Sequence, residues 1–182
     1  MGHPPWAALS PRVSRGFVDL SPLLMSLSAL PPMAEVYARL DSGARVTLGT
    51  GDASKAVVAA MLWRHSRRPT LLIAARETEA EAYAEQLRAW AGEAAMHFPS
   101  RGELPYARKN PAADAVWERL AVLSAIAEAS SGGRPPLVVA SLEALAEHTV
   151  APADLGRGPG VIEVGQRVQL DELALQLVEA GY

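Results

Sequence analysis

The sequence predicts an α/β fold, a parallel sheet flanked by helices, and three observations carry that prediction. From residue 45 onward, short β-branched or apolar runs alternate with longer stretches of 3.6-residue periodicity, the pattern of strands joined by crossover helices. One junction between an expected strand and the helix after it is glycine-rich, the place a phosphate-binding loop occupies. Over 182 residues, 49% are hydrophobic and 20% charged, enough apolar surface for a buried core and far from the composition of disordered chains.

Residues 1–42 read as an N-terminal arm with short helices. Ser21 is placed as an N-cap with Pro22 at the first helical position, and a second helix spans 33–40, ended by Asp41, Ser42 and Gly43. Arg12 and Arg15 precede the Leu-rich stretch 20–30, but Asp19 and Pro22 interrupt the apolar centre that a signal peptide needs. No apolar run reaches the roughly 18 residues that span a bilayer, so no membrane partner is expected.

Residues 43–158 form the expected α/β module. Strands are placed at 46–48, 70–74, 95–98 and 137–140, with another at 161–164 beyond the module. Between them lie three helical stripes: Val57, Val58, Met61 and Leu62; then Ala80, Tyr83, Ala84, Leu87 and Trp90; then Val116, Leu120, Leu123 and Ala127. Each is spaced i, i+3 or i+4, so each helix can lay one face on the sheet. Ser141 is expected to cap the helix after the 137–140 strand. The stretch 155–160 is rich in helix breakers and reads as a linker. Residues 159–182, one strand and one helix with Asp171 at its cap, read as the start of a truncated second domain, because so little structure cannot bury a core of its own.

Charge and cysteine content narrow the chemistry. Net charge is -3 and the pI near 5.8, so no global basic field favours nucleic acid. Cysteine is absent, which excludes disulfides, thiolate metal sites and a cysteine nucleophile and fits a cytoplasmic location. The four histidines, His3, His65, His97 and His148, lack metal-site spacing and are read as structural or exposed. Arg64, Arg67 and Arg68 form the basic cluster, at a helix C-terminus that favours cations. Trp90 and Trp117 are read as packing residues, and Glu77, Glu79 and Glu81 as the outer face of a helix.

The glycine-rich junction runs Gly49, Thr50, Gly51, Asp52, Ala53, Ser54, Lys55, Ala56. A working phosphate loop reads Gly, four residues, Gly, Lys, then Ser or Thr. Gly49 and Lys55 keep their places, Ser54 stands where the second Gly belongs, and Ala56 replaces the hydroxyl that ligates magnesium. After 137–140 no Asp-Glu pair follows, so the acidic partner of such a site is missing as well. Lys55 stands out because only Lys55 and Lys109 are lysines among 17 basic residues. Gly49, Gly51, Ser54 and Lys55 therefore read as a degenerate phosphate loop without catalytic residues.

The most individual stretch is Phe98-Pro99-Ser100-Arg101-Gly102-Glu103-Leu104-Pro105-Tyr106, continuing to Asn110-Pro111 and a helix with Asp114, Arg119, Leu120 and Leu123. Its prolines fix φ and forbid helix until Pro111. Phe98, Pro99, Leu104, Pro105, Tyr106 and Arg119, in this order and spacing, resemble the N-terminal, UvrB-like module of the bacterial transcription-repair coupling factor, the Mfd translocase. The flanks agree: the degenerate loop, the run from Val138 to Leu145, and the closing Leu177 to Tyr182. Arg101-Gly102 departs from the Trp-Glu common in that family, which leaves the loop's local contacts open.

The resemblance implies a P-loop NTPase-like, helicase-lobe fold with a degenerate nucleotide site. It implies a non-catalytic scaffold that supports recruitment of UvrA to stalled RNA polymerase in nucleotide excision repair and restrains the motor domains. ATP and magnesium would belong to the parent's ATP-hydrolysing translocase motor, with no cofactor in this segment and no metal site. RNA polymerase and DNA would be met through the parent, and the UvrA-contacting residues would lie mainly beyond Tyr182. The alternative is an active ATP-dependent helicase lobe or a UvrB-like excision-repair subunit, against which the missing Tyr-rich hairpin and the broken phosphate loop both count. A third reading is a DNA-contacting module built on Arg64, Arg67 and Arg68.

Overall fold

Three strands form one parallel sheet in the computed structural model of the chain, which describes residues 18–102, 113–152, 155 and 165–179. In chain order the elements are helices α1 (Leu23–Ser28), α2 (Pro31–Asp41) and α3 (Asp52–Ser66), strand β1 (Thr70–Ala74), helix α4 (Glu77–Ala91), strand β2 (Ala95–Phe98), helix α5 (Ala113–Ser130), strand β3 (Leu137–Ser141), and helices α6 (Leu142–Ala146) and α7 (Leu170–Glu179). Contacts divide the chain into two units, 17–148 and the remaining residues.

Within the first unit the strand order is β1-β3-β2. Leu137, Val138, Val139, Ala140 and Ser141 are all buried, as expected for a parallel strand covered on both faces. Alternation along β3 sends Leu137 and Val139 into one apolar cluster and Val138 and Ala140 into another. Helix α4 covers the first face with Ala80, Ala84, Leu87 and Ala91, a 4-3-4 spacing that makes one stripe. The alanines in that stripe let the helix backbone approach the sheet closely. Helix α5 covers the other face, where Val122 and Leu123 meet Phe98, Val138 and Ala140. The chain crosses the sheet one way over α4 and returns over α5, a doubly wound arrangement.

Helices α1 to α3 extend the α4 side, and Leu24, Met33, Val36, Ala60, Met61 and Trp63 join its cluster. His65 stacks on Tyr37 at 4.0 Å and bonds the Asp41 carboxylate at 2.9 Å, tying α3 to α2. In the second unit, α7 carries Asp171 and Glu172 in its first turn and exposes Leu170 and Leu175. No helix among the described residues is long and apolar enough to cross a membrane.

The strands at 70–74 and 95–98 and the one from 137 form where the sequence places them, as do the first two helical stripes. Several expectations are corrected. Residues 46–48 form no strand: β1 pairs only with β3 among the described residues, so the extended run after Gly43 has no ladder to join, although Val46 packs on the core. Pro22, not Ser21, is the N-cap of α1, and the Ser21 N–H instead turns back onto Asp19. The α5 face turns on Arg119, Val122 and Leu123, leaving Ala127 exposed and Trp117 65% exposed, so Trp117 is not a packing residue. Helix α7 begins at Leu170, which puts Asp171 inside the first turn rather than at the cap. The strand expected at 161–164 lies outside the described residues.

Candidate functional site

Residues 49–56, expected from the sequence to be a degenerate phosphate loop, precede α3, and Lys55 is turned to a carboxylate of its own helix. Gly51 is the helix N-cap and offers no side-chain bond. A Cβ added at Gly49 or Gly51 would meet nothing within 4 Å, so neither glycine is required by a close approach. Lys55 Nζ lies 2.7 Å from Asp52 Oδ1. That partner lowers the Asp52 pKa through hydrogen bonding and charge, and the same contact raises that of Lys55, with Tyr83 adding to it. Ala56, at the position of the magnesium-binding hydroxyl, is 1% exposed and faces the core. The Ser54 N–H donates to the Gly51 carbonyl.

The motif loop tells a different story. Phe98 and Pro99 are buried at the carboxyl end of β2, and Arg119 reaches them from α5 at 4% exposure. Arg119 Nη1 donates to the Pro99 carbonyl at 2.8 Å, to Glu147 Oε2 at 2.9 Å and to the Ala144 carbonyl at 3.3 Å, and its guanidinium lies 4.1 Å over the Phe98 ring. Burial pushes the pKa of Arg119 down and Glu147 opposes it; an arginine stays charged regardless. Glu147 also accepts the Arg101 N–H, while Arg101 Nη2 donates to the His148 carbonyl. Leu104, Pro105 and Tyr106 lie outside the described residues.

Beside this network Glu77 joins the ends of all three strands. One carboxylate oxygen accepts the Ser100 N–H at 3.0 Å, and the other accepts the Ser141 hydroxyl at 2.5 Å. His97 Nε2 lies 3.1 Å from Glu77 without hydrogen-bond alignment, and Nδ1 lies 3.8 Å from Glu118. Ser141 also accepts the Ala144 N–H, the cap of α6 expected from sequence. Glu77 is thus turned inward rather than placed on the outer face of α4 with Glu79 and Glu81. Its position just after a strand, in the first turn of a helix, was the available signal. Glu147 carried none, because its partners are distant in sequence.

In open α/β sheets ligands bind in the crevice outside the carboxyl ends of the strands. Here the described part of that edge is tied together by Glu77, Ser141, Arg119 and Glu147. Among the described residues no three His, Asp or Glu side chains are grouped to hold a metal ion.

No family model matches the chain. A transcription-repair-coupling factor of Myxococcus xanthus is 33% identical over 159 residues, covering 83% of this chain. The chain belongs to the transcription-repair-coupling factor family. It spans 13% of that relative's length.

Proposed function

We propose that this segment is a non-catalytic scaffold in the coupling factor, a P-loop NTPase-like lobe whose nucleotide site has decayed. It supports recruitment of UvrA to stalled RNA polymerase and restrains the translocase motor, where ATP and magnesium act. RNA polymerase and DNA are met through the parent protein in the cytoplasm. Residues 43–158 would be the UvrB-like module, residues 1–42 its arm, and residues from 159 the opening of the UvrA-binding domain.

The observation that carries this reading is the state of Lys55. In a working loop the lysine reaches the terminal phosphates and the next residue's hydroxyl reaches magnesium. Lys55 is instead paired with Asp52, and Ala56 is buried without an oxygen. The tied carboxyl edge supports the same reading, since Arg119 and Glu77 hold this chain's own backbone rather than an open crevice.

Two measurements test it. Titration of the chain with ATP and magnesium in a calorimeter should give flat heats; magnesium-dependent hydrolysis lost in Lys55→Ala would overturn the non-catalytic assignment. Deleting the module from a full-length coupling factor should raise the motor's ATP turnover and reduce UvrA retention. If both stay unchanged, the scaffold role is wrong.

A further inference from the structure

Opposite the carboxyl edge, where the strands begin, a concavity of about 630 Å³ opens between the C-terminal ends of α3 and α4, the turn before β3, and residues 18–24. The Leu20 N–H donates to the Ala89 carbonyl at 2.8 Å, which holds the leading segment against α4. Trp63 is 9% exposed and lines the interior, its Nε1 donating to the Pro135 carbonyl at 2.9 Å. Trp90, half-buried, forms another part of the wall.

Four arginines line this space: Arg64, Arg67, Arg88 and Arg134. Arg134 lies over the Trp63 ring at 5.6 Å. Among the described residues no carboxylate lies within 4.0 Å of these four arginines, a state they share with Arg45, Arg68, Arg76 and Arg167 but which here gathers on one concavity; Arg134 Nη2 donates to the Ala91 carbonyl at 3.4 Å. The one acid in the lining, Asp19, is occupied by the Ser21 N–H. Arg67 also sits at φ 51°, a left-handed position that favours glycine. In a chain of net charge -3, this is a local concentration of positive charge with Asp19 as its one acid among the described lining residues.

Guanidinium groups form paired hydrogen bonds with phosphate, and aromatic side chains stack on nucleobases. The volume lies in the usual range for small-ligand sites, about 300–1,000 Å³, too small for a duplex. A phosphate brings up to about two charges on one compact group, whereas a carboxylate brings one. We infer that this concavity binds a nucleoside phosphate, with arginines on the phosphate and the base against Trp90. The ligand is either a free mononucleotide or one nucleotide of a single strand. This site lies at the opposite edge of the sheet from the degenerate phosphate loop and does not depend on the scaffold reading.

Tryptophan fluorescence of the 182-residue chain, titrated with deoxyadenosine monophosphate, a short oligothymidylate, inorganic phosphate and a glutamate-rich peptide, tests this. The nucleotide should give a saturable change, at least about 10-fold weaker in Arg64→Ala/Arg88→Ala and unchanged in Arg39→Ala. That loss corresponds to the removal of charge-assisted phosphate contacts. Arg88→Gln alone serves if the double variant fails to show the wild-type circular dichroism spectrum. Trp90→Leu should reduce the preference for nucleotide over inorganic phosphate, which a loss of charge alone would not do. Mononucleotide binding as tight as the oligonucleotide identifies the free ligand. Tighter oligonucleotide binding that weakens steeply with salt identifies the strand. No saturable response to either, binding indifferent to the arginine changes, or stronger binding of the acidic peptide would each overturn the inference.

Discussion

Arg119→Met should lower stability by about 3 kcal/mol, and the figure follows from what the side chain holds. Methionine fills similar volume, so the loss is polar rather than a cavity. Arg119 supplies N–H bonds to Pro99, Ala144 and Glu147 and lies over Phe98. Removing one member of a buried ion pair costs about 3–5 kcal/mol. The Glu147 side chain is 21% exposed and keeps the Arg101 N–H, so water and that bond soften its loss and place the cost at the lower end. At about 2–4 °C per kcal/mol for a chain of this size, the melting temperature should fall by about 6–12 °C. Urea unfolding followed by far-ultraviolet circular dichroism gives the free energy directly. Arg39→Met, at an exposed pair with Glu35, is the control and should cost less than about 0.5 kcal/mol. If Arg119→Met were no more costly than that control, the loop would not be held by this residue. A double-mutant cycle with Glu147→Gln separates the ion pair from the bonds to carbonyls.

Three further outcomes follow from the same geometry. Ser141→Ala removes both the α6 cap and the hydroxyl that meets Glu77, so urea unfolding should show a loss of about 2–3 kcal/mol. Gly133→Ala would push a Cβ to 2.9 Å from the Glu128 carbonyl oxygen; because backbone cannot easily move, a cost of about 1–3 kcal/mol is expected in the same assay, as for overpacking. The Asp52 carboxyl, held low chiefly by its hydrogen bond with Lys55, should titrate higher in Lys55→Ala when followed by carbon-13 NMR. Its native pKa is depressed, so the stabilisation it gives is present above the unfolded aspartate value and is lost as pH falls through the native one. An unchanged midpoint in the variant would show that the Lys55 contact does not form in solution.

Much of the fold was legible because local patterns and burial agree. Leu137 to Ala140 is an unbroken apolar run, and it is the strand buried on both faces. The stripe Ala80, Ala84, Leu87 is the face that packs. The expectation of a strand at 46–48 failed because an apolar triplet cannot report whether a neighbouring strand exists; pairing is a property of the sheet. Trp117 misled because size and hydrophobicity do not set helix phase, and the buried phase of α5 passes through a charged residue, Arg119. Of the candidate site, Phe98, Pro99 and Arg119 stood in the sequence only as parts of a spaced motif; that Arg119 reaches back to the Pro99 carbonyl comes from the fold. Glu77 left only its place in a helix's first turn as a signal, and Glu147 and the meeting of Arg64 and Arg67 with Arg88 and Arg134 left none, since each joins residues from separate elements that only the fold brings together.

The strand order also has a consequence in time. Both β1 and β2 pair only with β3 among the described residues, and β3 is the last of the three to be synthesised. While residues up to 136 leave the ribosome, the first two strands have helices to rest on but no ladder to close. When Leu137–Ser141 emerges it must slide between two strands already made, and the Ser141 hydroxyl then meets Glu77. Sheet assembly is therefore a late, long-range step, of the kind that slows folding. A nascent chain stalled shortly before this point would expose Leu72 and Ala74 of β1 and the inner faces of α4 and α5, with Leu87 and Val122 among them, and would be a natural client for chaperones.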